Sequence, residues 1–356
     1  MPSGSLEVQF GIRGMTNFSS WQEDPLRPDD MIAGFVLLFL GIVFILLYSL
    51  VAYFMYSHDK DIVGFRFLFS ASIADILLLF NYTIWPAFTI LFKSELITTD
   101  MRHWVQMYLD WVWFSMCYHY MVIAWSRFAA IRYPSSFRIQ SRTFSYTLCL
   151  ACYVAAMIQV LCTHFQEWYV TFYYEPSHYG MLSEDFEKYL NEGQSLFFAT
   201  FHFLMIIIPA FFYGTALFLL LKQRKNGLIG QTFTKPVSTQ SRTEARLIIP
   251  CIFNSIVFII GQIVITIGTG EGKWATWTVM LLFSMNSAVN PVLLLMFSNI
   301  IREKFKQLFI KHKPPLSRLY STVRARKETS STRCVMDNIS SGEPSNDDRI
   351  IDHSYL

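Results

Sequence analysis

Residues 125–134 read WSRFAAIRYP, and this stretch closes the largely apolar run Trp104 to Phe128. Arg127, Arg132, Arg138 and Arg142 follow in quick succession, and a serine, Ser126, stands directly before the first of them. Basic residues at the end of an apolar run mark either the edge of a soluble core or a membrane surface. Composition decides between the two. Of 356 residues 53% are apolar and only 15% charged, whereas a soluble domain carries about 25% charged residues. The chain also holds 33 Phe, 18 Tyr and 9 Trp, a load that suits helices in hydrocarbon with aromatic rings at the interfaces.

A helix needs about 20 apolar residues to cross roughly 30 Å of hydrocarbon at 1.5 Å per residue. Seven runs meet that length: Met31 to Tyr56, Phe65 to Phe92, Trp104 to Phe128, Phe144 to Phe165, Ser195 to Leu221, Leu247 to Gly268 and Trp274 to Phe297. The third and fifth are interrupted by Asp110, His119 and His202 and are the least regular. No short, positively flanked apolar segment with a small-residue cleavage site precedes the first run, so no cleaved signal peptide is expected. The expected fold is all-α, an integral-membrane bundle of seven helices. Residues 1–30 would form an extracellular segment, 31–297 the bundle, 298–313 an amphipathic helix and 314–356 a disordered cytoplasmic tail.

Charge sets the expected orientation. Of the 29 Lys and Arg residues, only Arg13, Arg27, Lys93, Arg102, Lys188 and Lys273 fall on the side of the N-terminus. The rest gather on the side of the C-terminus, which the positive-inside rule places in the cytoplasm of a multi-pass plasma-membrane protein. Asn17-Phe18-Ser19 is a glycosylation acceptor triplet on the outer side, consistent with that orientation. Asn81-Tyr82-Thr83 has the same pattern but falls inside a membrane run. Five of the six cysteines, Cys117, Cys149, Cys152, Cys162 and Cys251, also lie within membrane runs, so no outer disulfide is expected. Cys149 and Cys152 read as packing residues of an apolar helix rather than as a metal or redox pair.

An ionisable group inside a span is costly and marks function by default. Asp75 lies midway along the second run in SASIADILLL. The seventh run supplies polar residues in SMNSAVNPVLLL, where Asn286 and Asn290 are four apart and share a helical face beside Ser287 and the kinking Pro291. With these residues in view, the chain resembles the rhodopsin-like G-protein-coupled receptors. Ser126-Arg127-Phe128-Ala129-Ala130-Ile131-Arg132-Tyr133-Pro134 is similar to the Asp-Arg-Tyr-x-Ala-Ile-x-x-Pro that ends their third helix. Ala74-Asp75 resembles their second helix, Asn286-Ser287-x-x-Asn290-Pro291 their seventh, Pro209 their fifth, and Ile301-Arg302-x-x-Phe305 their amphipathic helix. The likeness runs from about Met31 to Ile310.

The departures are specific. Ser126 replaces the acid and Leu294 the final tyrosine of the seventh-helix motif; the first helix has no Asn, and the outer-disulfide cysteines, the fourth-helix Trp and the sixth-helix Cys-Trp-x-Pro are missing. Such losses, and the Phe-rich second helix, resemble nematode serpentine chemoreceptors of the srx, srt and srv kind.

The resemblance implies a receptor whose ligand, a small molecule or peptide bound outside, opens a cytoplasmic crevice for a heterotrimeric G protein. Ser126, Arg127, Phe128, Asn290, Pro291 and Leu294 would form the activation switch, with Glu244 as a restraint across the gap. Asp75, Asn286, Ser287 and Asn290 would form the polar network, with a sodium ion at Asp75. Since Ser126 cannot pair with Arg127, appreciable agonist-free signalling is expected. The ligand set drawn from the runs is Leu109, Asp110, Trp113, Met116, His202, Gln262 and Trp277, with Trp274 beside it. Counting back from Arg127, Leu109 returns to the same helical face and Asp110 lies about 100° away, so the cavity should be apolar and unsuited to an amine. The acidic segment from Gln166 to Gln194 reads as a solvated loop.

Beyond the bundle, Ile301, Phe305, Leu308 and Phe309 share a face above basic neighbours, the pattern of a helix lying on anionic lipid. Pro314-Pro315 end it. Thr329 to Thr332 offer four hydroxyls for phosphorylation and arrestin binding, and Ser354-Tyr355-Leu356 fits a PDZ ligand. Nothing points to nucleic acid. A channel or transporter would need polar pore linings or paired discontinuous helices, and an enzyme a Gly-x-Ser-x-Gly or His-Glu-x-x-His arrangement; neither occurs. A receptor-shaped chain that no longer couples is the remaining alternative.

Overall fold

The structure, a computed structural model, describes residues 21–94, 96–229, 247–267 and 272–310. Asn17, Glu244, the side chain of Gln262, Thr329 to Thr332 and Ser354-Tyr355-Leu356 lie outside the described residues. The described residues up to Arg302 form one compact unit.

Seven long helices make up this unit: α1 (Pro28–Ser57), α2 (Val63–Phe92), α3 (Arg102–Arg132), α4 (Arg142–His164), α5 (Gln194–Ile229), α6 (Ile248–Ile267) and α7 (Lys273–Phe297). A twelve-residue helix, α8 (Asn299–Ile310), follows. Each of the seven expected runs is a helix, with ends shifted by a few residues. Among the described residues α1, α2, α4, α5 and α7 are long and apolar enough to cross a membrane. The fifth run therefore qualifies despite His202. The third does not reach that hydropathy, because Arg102, Asp110, His119 and Arg127 all lie on it.

Local sequence explains the ends. Pro28 begins α1, where its missing N–H costs nothing, and the Asp30 carboxylate accepts the Arg27 backbone N–H at 3.0 Å. Ser141 caps α4 by accepting the Phe144 N–H at 3.1 Å. Helix α3 stops just ahead of Pro134, which disfavours helical geometry in Tyr133 before it.

The helices pack in a closed circuit. Helix α1 touches α2 and α7, α7 touches α6, α6 touches α5, and α4 touches α2, while α3 packs on α2, α4 and α5 and more lightly on α6. The burial pattern is inverted relative to a soluble protein. Asp75, His119 and Arg127 are fully buried, whereas Phe39, Leu46, Phe92 and Phe218 are about two-thirds exposed. Such an apolar exterior around a polar interior fits a lipid surround, where unpaired polar groups must be satisfied within the bundle.

Helix α2 carries a π turn at Phe80–Ile84. Pro86 cannot donate to the carbonyl of Tyr82 four residues earlier, and Ser284 of α7 donates to that carbonyl instead, at 3.3 Å. The π turn leaves no room beside α1: a Cβ at Gly41 would collide with the Thr83 side chain.

Between α4 and α5 the chain forms a hairpin, not an irregular loop. Strand β1 (Phe172–Glu175) pairs antiparallel with β2 (Gly180–Ser183), Tyr174 facing Met181 across the ladder. Tyr179 in the turn takes a left-handed conformation, φ 55°, and is fully buried.

Candidate functional site

At one end of the bundle Arg127 is fully buried and donates to the Gly64 carbonyl at the start of α2, at 3.1 Å. It also lies close enough to Tyr213 of α5 to interact with it electrostatically. Ser126 takes no part in holding it: its hydroxyl is buried and donates to the Ile123 carbonyl of its own helix at 2.7 Å. Phe128 turns the other way, against Ile131, Ala216, Ile248, Leu219 and Ile252, an apolar cluster that joins α3, α5 and α6.

The same end of the bundle also holds a polar knot that the sequence pattern does not disclose. Arg66 donates from Nε to the Asp59 carbonyl and from one Nη to the Gln140 carbonyl, each at 2.8 Å, and to Ser145 Oγ at 3.2 Å. The Asp59 carboxylate accepts from Arg142 at 2.6 Å and from the Tyr146 hydroxyl at 2.8 Å. The knot ties the α1–α2 connection to the start of α4.

In the middle of the bundle, Asp75 accepts hydrogen bonds from the Tyr48 hydroxyl and from Asn290 Nδ2, the latter at 3.0 Å. Asn290 also reaches the Tyr120 hydroxyl at 3.4 Å. One carboxylate thus gathers α1, α2, α3 and α7. A second buried junction lies between α2, α3 and α4. His119 Nδ1 faces the Ser115 carbonyl at 2.7 Å and must carry the proton there, so Nε2 accepts from Ser70 at 2.8 Å. Tyr153 completes it by donating to the Ser70 carbonyl at 2.8 Å.

Nearer the hairpin, Trp113 is the hub of an aromatic layer, its ring 5.3 Å from Phe283, 6.1 Å from Phe258 and 6.2 Å from His202. The hairpin end itself is closed by hydrogen bonds. Tyr179 donates to the buried Asp30 carboxylate, which also faces Lys93 at 3.4 Å. Lys93 in turn donates to the Trp21 carbonyl at 2.9 Å. Lys273 reaches Asp29 at 2.6 Å and Tyr179 at 3.4 Å, and Thr276 donates to the His178 carbonyl. On the other flank Gln194 brackets Val170, accepting its N–H at 2.6 Å and donating to its carbonyl at 3.0 Å. Burial beside Asp30 holds the Tyr179 phenol well above its ordinary range, so it stays a neutral donor.

Under the hairpin lies a cavity with about 380 Å³ of empty space, part of it open to solvent. Trp85, Thr89, Arg102, Val105 and Leu109 form its floor and one side, and Phe172, Tyr173, Tyr174 and Met181 its roof. Among the described cysteines there is no disulfide, so none of them holds the hairpin covalently.

A seven-helix circuit around a central third helix, a buried arginine at one end, and a carboxylate–asparagine junction at mid-depth are now joined by a family match. The family model for the serpentine type 7TM GPCR chemoreceptor Srx covers residues 35–297. The chain belongs to the Srx chemoreceptor family. Among solved structures it is similar to squid rhodopsin, with a TM-score of 0.63 and 14% identity over 81% of this chain and 88% of that one. At that identity the likeness is one of fold. No curated protein matches the chain.

Within this Srx receptor, the switch residues of the sequence come together only in part. Arg127 and Phe128 face the α2 and α5–α6 sides of one end, Asn290 joins Asp75, and Leu294 is buried lower on α7. The polar-network residues Asp75 and Asn290 meet, while Asn286 and Ser287 are buried on α7 without a recorded contact to Asp75. The ligand set separates into distinct places. Leu109 lines the cavity and Trp113 meets His202, with Met116 buried on the same helix. Asp110 points elsewhere: it accepts from Gln106 at 2.8 Å and from Tyr169 at 3.0 Å and faces His164 at 3.0 Å, pinning α3 to α4 and the hairpin segment. Trp277 turns to α1, reaching the Ala33 carbonyl at 3.4 Å.

Three contributors escape motif reading: Tyr48, Asp59 with Arg66, and the hairpin. For Tyr48, a hydroxyl midway along an otherwise oily α1 was the available signal. The β-prone, aromatic-rich run from Tyr169 to Leu182 with its Pro-Ser-His-Tyr-Gly turn was the corresponding signal for the hairpin.

Proposed function

We propose that this Srx protein is a plasma-membrane receptor with its C-terminus in the cytoplasm, which binds an extracellular small molecule or peptide and activates a heterotrimeric G protein. The observation that carries this reading is Arg127, fully buried at the basic end of α3 and bonded to an α2 carbonyl instead of an adjacent acid. A buried guanidinium on a neutral carbonyl has much to gain from carbonyls offered by an inserted partner helix. The apolar cluster of Phe128, Ile131, Ala216 and Ile248 supports a closed resting state, because α6 must leave it before any crevice opens. Ligand binding would then shift a two-state equilibrium by its differential affinity for the two arrangements.

The Asp75 layer is read as the coupling element between the ends. Asp75 Oδ1, Asn286 Oδ1 and Ser287 Oγ are buried oxygens without hydrogen-bond partners among the described residues. One carboxylate with neutral oxygens suits a hard monovalent cation, which supports the sodium reading. Anionic lipid under the α8 pattern, arrestin at Thr329 to Thr332 and a PDZ protein at the C-terminus are further partners of the same proposal.

The test is guanine-nucleotide exchange on purified G-protein α subunits, driven by the full-length receptor in membranes and screened with small molecules and peptides. A ligand that accelerates exchange in the native chain and not in Arg127→Ala supports the reading. Failure of every ligand across several α subtypes favours a receptor-shaped protein that does not couple.

A further inference from the structure

We propose that His103 and His164 hold a divalent transition-metal ion, zinc or copper, at the hairpin end of the bundle, where α3, α4 and the hairpin segment meet.

His164 supplies a bare nitrogen. It is the last residue of α4, it is buried, and its Nε2 lies 3.0 Å from Asp110 Oδ2. An ionised carboxylate only accepts, so Nε2 carries a proton. A second proton on Nδ1 would leave a buried cationic N–H unpaired, which is costly, so Nδ1 keeps its lone pair. That Nδ1 meets no hydrogen-bond partner among the described residues. Buried polar atoms are nearly always paired, and an imidazole that gives one N–H to a carboxylate while its other nitrogen stays free has the usual arrangement of a metal ligand. Tyr169 fixes the ring further: it packs 4.0 Å from the His164 ring centre and donates to the same Asp110 oxygen at 3.0 Å.

His103 stands at the right separation. Its ring, in the first turn of α3, is edge-on to His164 with centroids 5.4 Å apart and planes at 70°. With metal–nitrogen bonds of about 2.0–2.1 Å, two imidazoles on one tetrahedral ion have ring centres about 5–5.5 Å apart. His103 and Asp110 are two turns apart on one face of α3, and the His164 ring touches both, with Nε2 committed to Asp110.

The surroundings suit a dication. Glu184, just after β2, interacts electrostatically with His103 and Tyr169, and Asp110 adds a second carboxylate. Gln106 Oε1, one turn along α3 from His103, is another buried atom without a partner, an acceptor for a metal-bound water. Among the described residues no group of three or more His, Cys, Asp and Glu side chains is arranged to hold an ion. The protein therefore supplies two imidazoles and water completes the coordination. Imidazole ligands select zinc or copper over calcium or magnesium, which prefer oxygen. A bound ion would tie the outer ends of α3 and α4 together. The binding claim does not rest on G-protein coupling; only an effect of the ion on signalling would.

Calorimetric titration of the full-length receptor in lipid nanodiscs with zinc chloride tests it, beside electron paramagnetic resonance with copper(II). One zinc site is expected that His103→Gln weakens at least about tenfold and that His103→Cys, which restores a ligand atom, recovers. Asp110→Asn keeps an acceptor but loses the charge behind His164 and should weaken the site about tenfold to a hundredfold. Copper should show coupling to imidazole nitrogen that His103→Gln diminishes. Equal zinc affinity in the native chain and His103→Gln, or nitrogen coupling unchanged in that variant, overturns the site. A readout on the native chain guards against a variant that does not fold: zinc should slow modification of His103 by diethyl pyrocarbonate and leave His58, at the other end of the bundle, unaffected. Modification of His103 at the same rate with and without zinc also overturns it. No G protein is present in these assays, so their failure and a failure of coupling are told apart.

Discussion

The two ends of the bundle solve the same problem with opposite chemistry. At the hairpin end, carboxylates are buried and cations and phenols are brought to them: Asp30 receives Tyr179 and Lys93, and Asp110 receives Gln106, Tyr169 and His164. At the Arg127 end, one buried carboxylate, Asp59, also receives a cation and a phenol, but two arginines are buried as well and backbone carbonyls are brought to them: Gly64 for Arg127, Asp59 and Gln140 for Arg66. A carbonyl is a neutral acceptor, and each such bond to an arginine is a charge-assisted hydrogen bond of about 1.5–3 kcal/mol. The hairpin end is built to stay shut around a cavity; the Arg127 end is built to let go.

Removing one partner at each end should expose the difference. Asp30→Ala is expected to have the largest effect, since it strands the nearly buried Lys93 and leaves Tyr179 without its acceptor. Loss of one member of a buried pair costs roughly 3–5 kcal/mol. A large fall in thermal midpoint and in surface yield should follow; a change as small as that of an ordinary surface substitution would break the comparison. Asp59→Ala should cost less, about 1–3 kcal/mol. Arg142, whose side chain is 43% exposed, can be rehydrated, and Arg66 keeps its carbonyls. Equal losses for the two variants would show the ends to be alike.

At mid-depth, Tyr48→Phe removes one of two described donors to Asp75, and a loss of about 0.5–1.5 kcal/mol is expected from melting curves. The smallest effect should come from a reductant. With no disulfide among Cys117, Cys149, Cys152, Cys162 and Cys251, dithiothreitol should leave the thermal midpoint where it was. A clear downward shift would mean that a covalent tether, not the Asp30–Tyr179 bond, holds the hairpin.

How much of this was legible beforehand follows from what each feature depends on. The seven spans depend on local hydropathy, and the runs found them within a few residues. Counting by helical turns put Leu109 on the cavity side of α3 and Asp110 off it, because one long regular helix preserves its phase. The contacts of Asp110 and Trp277, both in the ligand set, were harder to place, since their partners lie on α4 and α1 and not on their own helices. The Asp59–Arg66 knot joins residues to Gln140, Arg142 and Tyr146 more than 70 positions away, and nothing in either segment announces the pairing. The hairpin was hidden because the acids in the segment suggested solvent, while its β-prone aromatic residues carried the structure. Ser126 was noticed for the acid it replaces; the structure adds that its hydroxyl donates to the Ile123 carbonyl of its own helix.

The central claim is that Arg127 is restrained by a neutral carbonyl and an apolar cluster, without an adjacent acid. Agonist-free nucleotide exchange by the native chain and by Ser126→Asp measures this most directly. The introduced carboxylate should lower basal exchange about threefold to tenfold, the latter corresponding to about 1.4 kcal/mol of added restraint, while leaving Arg127→Ala inactive in either background. Basal exchange that is unchanged by Ser126→Asp, in a variant that still reaches the membrane folded, would contradict the account.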